Sequence, residues 1–453
     1  MENTRHGVAV VGCGTVGGAT GALLLKNADI LSRRCGCRLE LRAVVDRTFS
    51  HADELGIPGS LCTTELRAVL EDPSVTVVVE TVGGVQAARE IVEQAIDAGK
   101  HVVTANKALL AEVGPQLYDR ARERSVSISF EASCAGGIPV VRALYDGLVA
   151  NEIEAIYGIV NGTSNYILTR MVDAGIAYRD ALAEAQAEGY AEADPTLDVD
   201  GTDSAHKLAI LASLAFGIQI RTDDVHIQGI DTLDTVDVTY ASRLGYVVKL
   251  LAIARRQRGG VSLVVRPAFI SREHPLAWVS GPFNAVSIYG DVTGHTMYYG
   301  RGAGGAPTAG AVISDIVSVA RGTYPIVFAG RESLGAPATG DALHLLSPDR
   351  LRNRYYLRLD VRDTPGTLAR IAAVFAEYEI SIASVLQTEA PEDAVNSVVP
   401  IVITLHRTEE GILAEPLKRI EELDAVSGSV RPITIVDEHP EAEFDVCSNN
   451  GVR

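Results

Sequence analysis

A buried strand that runs directly into a glycine-rich turn near the N-terminus constrains the fold more than any other feature of this sequence. Residues 8–11 are fully apolar and rich in valine, as expected for a parallel strand buried on both faces. The next six residues, Gly12-Cys13-Gly14-Thr15-Val16-Gly17, have the spacing of a dinucleotide-binding turn. There Gly12 permits the tight bend, Gly14 the approach of a pyrophosphate, and Gly17 the packing of the following helix, predicted over 16–31.

Four more strands follow in the first 150 residues, and helical patterns separate them. The strands are predicted at 39–45, 75–79, 101–103 and 127–130, and the helices at 85–98 and 109–122. This alternation indicates a doubly wound parallel sheet, in which ligands bind beyond the carboxyl ends of the strands. We therefore predict an α/β chain that begins with a Rossmann nucleotide-binding domain over residues 1–150.

Polar residues at the strand ends are candidates for binding a dinucleotide. Asp46 suits the adenosine ribose hydroxyls of NAD, whereas Arg47 suits the 2′-phosphate of NADP, so the sequence leaves both cofactors open. Residues 33–38 are interpreted as an extended loop that lengthens the gap between the glycine turn and Asp46. Thr81 and Lys107 follow the next two strands, where the nicotinamide end is expected; a solvated loop lysine is the alternative for Lys107.

The charge balance and the cysteines exclude several classes of protein. The 453 residues carry a formal net charge of −18, which repels nucleic-acid phosphates and anionic lipids, so neither is an expected partner. No stretch approaches the ~20 apolar residues of a membrane helix, and no signal peptide is evident, which favours a cytoplasmic protein. The six cysteines are scattered. Cys35 and Cys37 lack the two-residue spacing of a redox pair, so reduced, mostly buried thiols are expected.

The middle of the chain begins with a loop of small residues, 131–139, which leads into a helix near Pro139. Exposed carbonyls of such a loop are able to hold a hard monovalent cation, although an elbow between domains is the simpler interpretation from the residues alone. Further on, residues 161–165 predict the start of a helix that runs to 174, and a second helix is predicted at 178–188.

An acidic stretch, residues 189–207, holds five carboxylates before a single lysine. Glu192 and Asp198 are able to receive the ammonium group of a small amino acid, and a solvated acidic turn is the alternative. The stretch ends in a helix predicted over 202–216, where Asp203 and Lys207 are spaced i, i+4.

Lys207 lies on a helix face that continues through Ile210 and Leu214, which are predicted to be buried. A lysine on such a face is a candidate general acid or base if its surroundings shift its pKa down from ~10.4. The neighbouring Asp203 opposes that shift, because a carboxylate favours the charged ammonium. An ion pair worth about 0.3–0.5 kcal/mol is the structural alternative.

At these motifs the sequence resembles homoserine dehydrogenase, which interconverts homoserine and aspartate 4-semialdehyde with NAD(P). The resemblance runs from about residue 8 to 315, and together its six motifs are highly specific: 12–17, 104–107, 131–139, 161–165, 189–207 and 300–308. The last motif resembles the family's glycine segment that touches the cofactor before a helix, predicted over 308–320, returns to the nucleotide domain. The resemblance implies an α+β catalytic and dimerisation domain over 151–307, in a homodimer or homotetramer.

The resemblance implies a role for each candidate residue. Lys207 is implied to give a proton to the semialdehyde oxygen during reduction, with Asp203 and Lys107 orienting the reactants. The substrate-binding positions are Thr163, Glu192 and Asp198. The cofactor-binding positions, for NADP or NAD, are Gly12, Gly14, Thr15, Val16, Gly17, Asp46, Arg47, Thr81, Lys107 and Gly302. The family's monovalent-cation loop, for Na⁺ or K⁺ held mostly by backbone oxygens, corresponds to Glu131, Cys134, Gly136 and Ile138.

The C-terminal part follows a segment interpreted as a linker, 321–352. Over 353–437 the pattern predicts the βαββαβ order of a ferredoxin-like domain. An Asp-x-x-Gly-x-Leu turn at its first helix resembles ACT domains, which bind amino acids and regulate metabolic enzymes. This implies a ligand beside Asp363 and Gly366, with threonine as the expected effector; a purely dimerising module is the alternative. The acidic tail, 438–453, is expected to be disordered.

Two other functions compete with homoserine oxidation. Another amino-acid dehydrogenase on the same fold would be distinguished by a screen of substrates. A catalytically silent sensor of nucleotides and amino acids has no evident need for Lys107, Asp203 and Lys207 together.

Overall fold

The chain folds into two compact units, each discontinuous in sequence. The computed structural model describes residues 4–257, 260–330, 343–387 and 398–437. The first unit contains Met1–Gly162, Thr202–Val225 and Pro282–Leu343; the second contains Thr163–Gly201, His226–Gly281 and His344–Arg453. The acidic tail and Cys447 lie outside the described residues.

A six-stranded parallel sheet forms the core of the first unit. Its strands are β1 (Arg5–Val11), β2 (Arg38–Val45), β3 (Cys62–Thr63), β4 (Val75–Glu80), β5 (His101–Thr104) and β6 (Ile128–Ser129). The strand order is β3-β2-β1-β4-β5-β6, and every neighbouring pair is parallel. The connecting helices are α1 (Thr15–Lys26), α2 (Ala28–Cys35), α3 (Leu66–Glu71), α4 (Gln86–Asp97) and α5 (Lys107–Glu123). This confirms the doubly wound fold, whose order reverses between β1 and β4, the position at which sheets of this kind bind ligands.

The helix predicted over 16–31 is divided in two at Asn27. The Asn27 N–H donates to the Leu23 carbonyl and closes α1, and α2 begins at the next residue. The extended loop predicted over 33–38 is wrong, because α2 continues to Cys35. Gly36 ends it with a left-handed φ of 72°, which glycine adopts without steric cost. The long gap before Asp46 is therefore occupied by a second helix.

The middle of the chain supplies elements to both units. In chain order they are α6 (Val140–Arg142), β7 (Ile153–Ile159), α7 (Gly162–Ala174), α8 (Tyr178–Ala187), α9 (Thr196–Val199), α10 (Thr202–Phe216), β8 (His226–Ile227), α11 (Thr235–Arg243), β9 (Tyr246–Gln257), β10 (Gly260–Ser271), β11 (Phe283–Gly290), β12 (Gly294–Arg301), α12 (Gly305–Ala320) and α13 (Thr323–Gly330). In the first unit β11 pairs antiparallel with both β7 and β12. The predicted helix 202–216 is confirmed as α10, with Ile210 and Leu214 buried on its face.

The segment interpreted as a linker, 321–352, starts as part of the first unit. Its first residues form α13, whose Tyr324 and Phe328 are buried. The Tyr324 ring stacks on Tyr145 with centroids 4.9 Å apart, and its hydroxyl donates to the Ile128 carbonyl at 3.0 Å. This helix was not predicted from the sequence, because it is only eight residues long, contains Pro325 and is bounded by Gly322 and Gly330.

The C-terminal part of the second unit has the predicted ferredoxin-like order. Its elements are β13 (His344–Leu345), β14 (Arg352–Arg362), α14 (Thr367–Glu377), β15 (Ile382–Gln387), β16 (Val398–Glu409), α15 (Glu410–Glu421), β17 (Val426–Ser427) and β18 (Ile433–Val436). The strands are ordered β18-β14-β16-β15, and the helices cover a core of apolar side chains that includes Leu357, Phe375 and Ile403.

The last strand, β18, also pairs with the long β9-β10 hairpin. The two strands β18 and β10 run parallel, and Thr434 lies opposite Ala268. Beside this junction the buried guanidinium of Arg266 donates to both carboxylate oxygens of Glu410, at 2.8 and 3.0 Å. The C-terminal domain is thus continuous with the rest of its unit through backbone hydrogen bonds and a buried ion pair. Within the described part of the chain, no helix combines the length and apolar character needed to cross a membrane.

Candidate active site

The glycine turn has the geometry that a pyrophosphate requires. Gly12 has a φ of +103°, and a Cβ there would lie 2.7 Å from the Thr81 carbonyl. A Cβ on Gly17 would lie 1.9 Å from the Gly12 carbonyl, so neither position tolerates a side chain. Gly14 has no neighbour within 4 Å of such a Cβ and leaves the start of α1 open. No side chain caps this helix start, so its backbone amides suit an anionic ligand.

Side chains from two neighbouring strands brace the turn. The Thr81 hydroxyl lies 3.0 Å from the Val11 carbonyl and 3.1 Å from the Gly12 carbonyl. The Asp46 carboxylate accepts the Cys13 N–H at 2.5 Å. Both Asp46 and Thr81 were selected from the sequence as ligand contacts, and the structure adds a bracing role that the sequence did not indicate.

Both carboxylate oxygens of Asp46 accept backbone hydrogen bonds, whereas the side chain of the next residue, Arg47, is exposed. The second Asp46 oxygen accepts the N–H of Arg47 at 2.6 Å. The Arg47 side chain is exposed and forms no ion pair among the described residues. The residues at this strand end therefore fit a dinucleotide, with one acidic and one basic group beside the adenosine position.

A buried carboxylate holds two lysines together at the carboxyl end of the sheet. Asp203 on α10 lies 2.7 Å from Lys207 Nζ through Oδ2 and 3.0 Å from Lys107 Nζ through Oδ1. Lys107 is the first residue of α5, which Asn106 caps by accepting the Leu109 N–H. Lys207 and Asp203 are less than a tenth exposed, whereas the Lys107 side chain is 37% exposed. The three catalytic candidates are thus brought together, and Lys107 is not a solvated loop lysine.

The charge on Asp203 is fixed by its neighbours. Burial alone raises the pKa of this carboxyl, but Lys207, Lys107 and the Asn161 amide outweigh burial and hold the pKa well below its ordinary value. The Asn161 amide donates to Oδ2 at 2.9 Å. Asp203 is therefore an anion at any physiological pH, and it stabilises both ammonium groups electrostatically.

Two groups around Lys207 were missed by the sequence reading. The Val160 carbonyl accepts from Lys207 Nζ at 2.6 Å and from the Asn284 amide at 2.9 Å. Asn284 also lies against the glycine segment, since a Cβ on Gly302 would be 2.0 Å from its Nδ2 atom. Its buried Oδ1 has no hydrogen-bond partner within the described ranges. No sequence signal marks Asn284, because it lies in a different strand from every quoted motif.

The small-residue loop 131–139 is held by its own first residue. The Glu131 carboxylate accepts the N–H groups of Val141 and Arg142, at 3.0 and 2.8 Å, and so caps the start of α6. The Glu131 N–H in turn donates to Asp315 of α12 at 2.8 Å. Arg142 lies 3.5 Å from the other Asp315 oxygen, and its side chain is 40% exposed.

Glu131 of the loop and Asp315 of α12 have the partly exposed Arg142 as their positive neighbour, whereas Asp203 lies between two lysines. Burial raises the pKa of Glu131 to about 7, against its backbone hydrogen bonds. Burial and the neighbouring Glu131 raise the pKa of Asp315 to about 8. Burial also raises the pKa of the Cys134 thiol to about 12, so that its sulfur is uncharged. The loop residues Gly136 and Ile138, which were assigned to a cation site, line one pocket together with Glu131 and Arg142.

The predicted substrate residues lie in the second unit, on or beside helix α7. The Thr163 hydroxyl donates to the Tyr190 carbonyl and the Ser164 hydroxyl to the Asp198 carbonyl, both at 2.7 Å. These adjacent hydroxyls hold the acidic stretch at residues 190 and 198, on either side of Glu192, whose side chain is exposed. Ser164 was missed by the sequence reading, although it lies inside a quoted motif.

The next residue of α7 is held by a buried lysine. Lys249 of β9 donates to Asn165 Oδ1 at 3.2 Å and to the Val279 carbonyl at 2.5 Å. Burial lowers the pKa of Lys249 to about 8. Nothing in the sequence pattern distinguished this lysine from a surface residue.

The candidate effector residues lie at the start of α14. Gly366 has a φ of 90° and is the N-cap of this helix. Asp363 is exposed and accepts the Gln387 side-chain amide at 3.2 Å. The arrangement matches the predicted turn, and a side chain at position 366 would strain the backbone.

Three family models match the chain. A model described as homoserine dehydrogenase, NAD binding domain matches residues 12–131, and one described as homoserine dehydrogenase matches residues 139–317. A third, described as ACT domain, matches residues 355–425.

Known proteins resemble the chain over almost its whole length. The homoserine dehydrogenase of Pseudomonas aeruginosa is 43% identical, over 94% of this chain and 98% of that protein. A solved homoserine dehydrogenase from Thiobacillus denitrificans is 42% identical, with a TM-score of 0.88 over 96% of this chain and 99% of that one. A hyperthermophilic archaeal homoserine dehydrogenase solved in complex with NADPH is 26% identical, with a TM-score of 0.59 over 70% of this chain and 97% of that one.

Proposed function

This chain belongs to the homoserine dehydrogenase family and is an NAD(P)-dependent oxidoreductase, and from that premise we propose that it interconverts L-homoserine and L-aspartate 4-semialdehyde in threonine and methionine biosynthesis. The observation that carries the proposal is the buried carboxylate of Asp203, which holds Lys107 and Lys207 at 3.0 and 2.7 Å. A site of this kind supplies protons to an oxygen that gains negative charge.

Lys207 is the proton donor during reduction. When bound, the nicotinamide ring supplies the hydride for reduction or accepts it during oxidation. As the semialdehyde oxygen gains charge, the Lys207 ammonium gives it a proton, and in oxidation the neutral amine removes that proton. Asp203 and the Val160 carbonyl orient Nζ, since each accepts a hydrogen bond from it. Lys107 shares Asp203 and stabilises the developing negative charge from the more exposed side.

The remaining assigned residues bind and orient the reactants. Glu192 and Asp198 receive the ammonium group of homoserine, and Thr163 contributes to the same substrate site. The start of α1 and the glycine turn hold the pyrophosphate, and Gly302 contacts the cofactor. This scheme requires the acidic stretch to keep the shape that Thr163 and Ser164 impose on it.

Steady-state kinetics test the proposal. Homoserine-dependent formation of NAD(P)H is expected, and it should exceed the rates with aspartate, glutamate and serine by at least about 100-fold, because only homoserine among them carries an alcohol on its γ-carbon. Activity with another amino acid and none with homoserine would replace the substrate while leaving the fold and cofactor in place. No activity with any amino acid, together with tight cofactor binding, would favour a silent sensor.

Arg47 gives the cofactor preference its own test. Its exposed guanidinium suits the 2′-phosphate of NADP, whereas Asp46 already accepts two backbone amides. Replacing Arg47 with Gln should raise KM for NADP about tenfold and leave KM for NAD within twofold. An equal change for both cofactors would remove Arg47 from the phosphate site.

The other proposed properties are regulation, cation binding and assembly. Threonine binds beside Asp363 and Gly366 and inhibits, Na⁺ or K⁺ binds in the loop 131–139, and the enzyme is a cytoplasmic homodimer or homotetramer. Deleting the C-terminal domain is a poor test of inhibition, because it removes β18 from β10 and leaves Arg266 buried without Glu410. Asp363→Ala is the better variant: inhibition by threonine should weaken, with turnover unchanged in its absence. Unchanged inhibition would place the effector elsewhere, and no inhibition of the natural enzyme would favour a dimerising role.

A further inference from the structure

Two cysteines at the end of helix α2 approach each other more closely than their sequence spacing suggested. The sulfur atoms of Cys35 and Cys37 are 3.3 Å apart, and the Cys35 thiol also donates to the Cys37 carbonyl at 3.1 Å. The chain reverses between them at Gly36, whose φ of 72° turns the end of the helix into the start of β2. A Cβ added at Gly36 would meet nothing within 4 Å, so the turn is open to solvent.

Both cysteines are largely buried, but the turn between them lies at the surface. Cys35 is 8% exposed and Cys37 is 5% exposed, whereas Gly36 between them is exposed. Burial and the neighbouring thiol raise the pKa of Cys37 to about 11. Because thiolates rather than thiols are nucleophilic, the Cys37 sulfur alone is slow to react near neutral pH. A reagent that engages both sulfurs gains from their fixed separation.

The surroundings of the pair are strongly basic in a chain whose net charge is −18. Arg33 and Arg34 occupy the last turn of α2, and both side chains are exposed. Arg321 lies close enough to Cys37 to oppose the rise of its pKa electrostatically. None of these three arginines takes part in an ion pair among the residues that the structure describes. Their combined field attracts small anions to the turn.

We propose that Cys35 and Cys37 form a thiol–disulfide exchange site for anionic low-molecular-weight disulfides, of which glutathione disulfide is the model. One protein thiolate attacks the external disulfide, forms a mixed disulfide and releases one small thiolate. The second protein sulfur then attacks the first, closes the Cys35–Cys37 bond and releases the other small thiolate. Two electrons pass from the protein thiols to the external disulfide, and the two protons released by the protein are taken up by the products.

Closure needs only a small movement. The sulfurs must approach from 3.3 Å to the ~2.05 Å of a disulfide bond. The open turn at Gly36 allows the two side chains to rotate, while both flanking elements stay in place. The resulting ring spans three residues, and short rings of this kind are easily reduced, so the oxidised form should be reversible.

A dithiol-selective trivalent arsenical, phenylarsine oxide, tests the geometry. The intact enzyme should bind one equivalent at this site, lose two titratable thiols, and recover them with dithiothreitol but not with an equal concentration of a monothiol. Cys35→Ser and Cys37→Ser should each abolish this, while Cys62→Ser, which alters a more exposed thiol, should not. Binding that survives in both serine variants, or no binding by the natural protein, would overturn the assignment. Melting temperature and cofactor affinity establish that the variants are folded.

Glutathione disulfide tests the chemistry and the charge. Intact mass should show the loss of two hydrogens without a lasting glutathione adduct, at a rate that rises with pH. The double variant Arg33→Glu, Arg34→Glu should react about tenfold more slowly with glutathione disulfide and equally fast with neutral hydroxyethyl disulfide. High salt should slow only the reaction of the anionic reagent. A stable mixed disulfide as the final product would refute the proposal. So would a double variant that slows the reactions with both reagents equally.

Discussion

Two groups of buried carboxyls in the first unit have pKa values that are shifted in opposite directions. Asp203 is flanked by two lysines and an amide, which hold it as an anion in spite of burial. Glu131 and Asp315 face each other with only a half-exposed arginine nearby, and burial raises the pKa of both. Desolvation is common to both groups, so the difference comes from the positive charge available to each. In the proposed function the first group transfers protons, and the proposed monovalent cation would supply positive charge to the second.

Removing Lys207 should have the largest effect. The variant Lys207→Ala loses the proton donor, and general acid–base catalysis of this kind contributes about 10²–10⁴-fold, so kcat should fall by about 10³-fold. The Kd of the cofactor, measured by fluorescence titration, should stay within threefold, because the glycine turn is untouched. Near-normal turnover in this variant would mean that Asp203 holds two structural lysines and that the contrast with Glu131 and Asp315 has no catalytic meaning.

Neutralising Asp203 should have the next largest effect. Asp203→Asn keeps the size of the side chain but removes the charge that stabilises two ammonium groups, so kcat is expected to fall by about 10–100-fold. The matched variant Lys107→Met removes only the more exposed partner and should cost less, about tenfold. A larger loss in Lys107→Met than in Asp203→Asn would identify Lys107, rather than Lys207, as the main proton donor.

The raised pKa values of Glu131 and Asp315 should make the stability of the protein depend on pH. The pKa of Asp315 is raised in the folded state, so its contribution to stability is full below pH ~4 and is lost as pH rises toward 8. Asp315→Asn lacks this loss and should be about 1–3 kcal/mol more stable than the natural protein at pH 8, with little difference at pH 4–5.

The exposed Asp97, which pairs with Arg120, serves as the control for Asp315. Its pKa is lowered by that pairing, so Asp97→Asn should not produce a gain at pH 8. The measurement is urea unfolding in Na⁺ and in a large organic cation. If Na⁺ binds the loop, the advantage of Asp315→Asn should shrink in its presence; the same advantage in both media would count against a cation there.

The smallest expected effect concerns the acidic stretch of the second unit. Ser164→Ala removes the 2.7 Å hydrogen bond to the Asp198 carbonyl, worth about 1 kcal/mol. KM for homoserine should rise about three- to tenfold with kcat within twofold. Ser32 of α2, which is partly exposed, offers a control substitution. A fall in kcat with unchanged KM would indicate that the hydroxyl acts on the catalytic group rather than on the substrate site.

Periodicity and short-range spacing were sufficient to predict the parallel sheet, helix α10 and the ferredoxin-like order. In α10 the i, i+4 spacing placed Asp203 and Lys207 on one face with Ile210 and Leu214, and the structure confirms it. The glycine turn was predicted because its residues are adjacent in sequence. These features depend on neighbours along the chain, which a sequence displays directly.

Features made by distant segments could not be predicted. Asp315 lies 184 residues from Glu131, and nothing in either local pattern indicates their hydrogen bond. Asn284 meets Lys207 at one carbonyl only because β11 and α10 converge there. The break at Asn27 arises from the end of one helix and the start of the next. The short distance between the Cys35 and Cys37 sulfurs depends on the left-handed conformation of Gly36, which spacing rules for cysteine pairs do not consider.

The pairing of β18 with β10 sets a time order for the synthesis of this protein. A ribosome releases β10 before the last strand is made, so residues 268–270 of β10 stay unpaired on one edge until more than 150 further residues have been made. Arg266 lacks its ion-pair partner Glu410 until that part of the chain has been synthesised. Unpaired strand edges invite wrong partners, and folding of the second unit is complete only when nearly the whole chain has left the ribosome. Slow translation or premature termination near the 3′ end of the message should therefore release a catalytic region that aggregates.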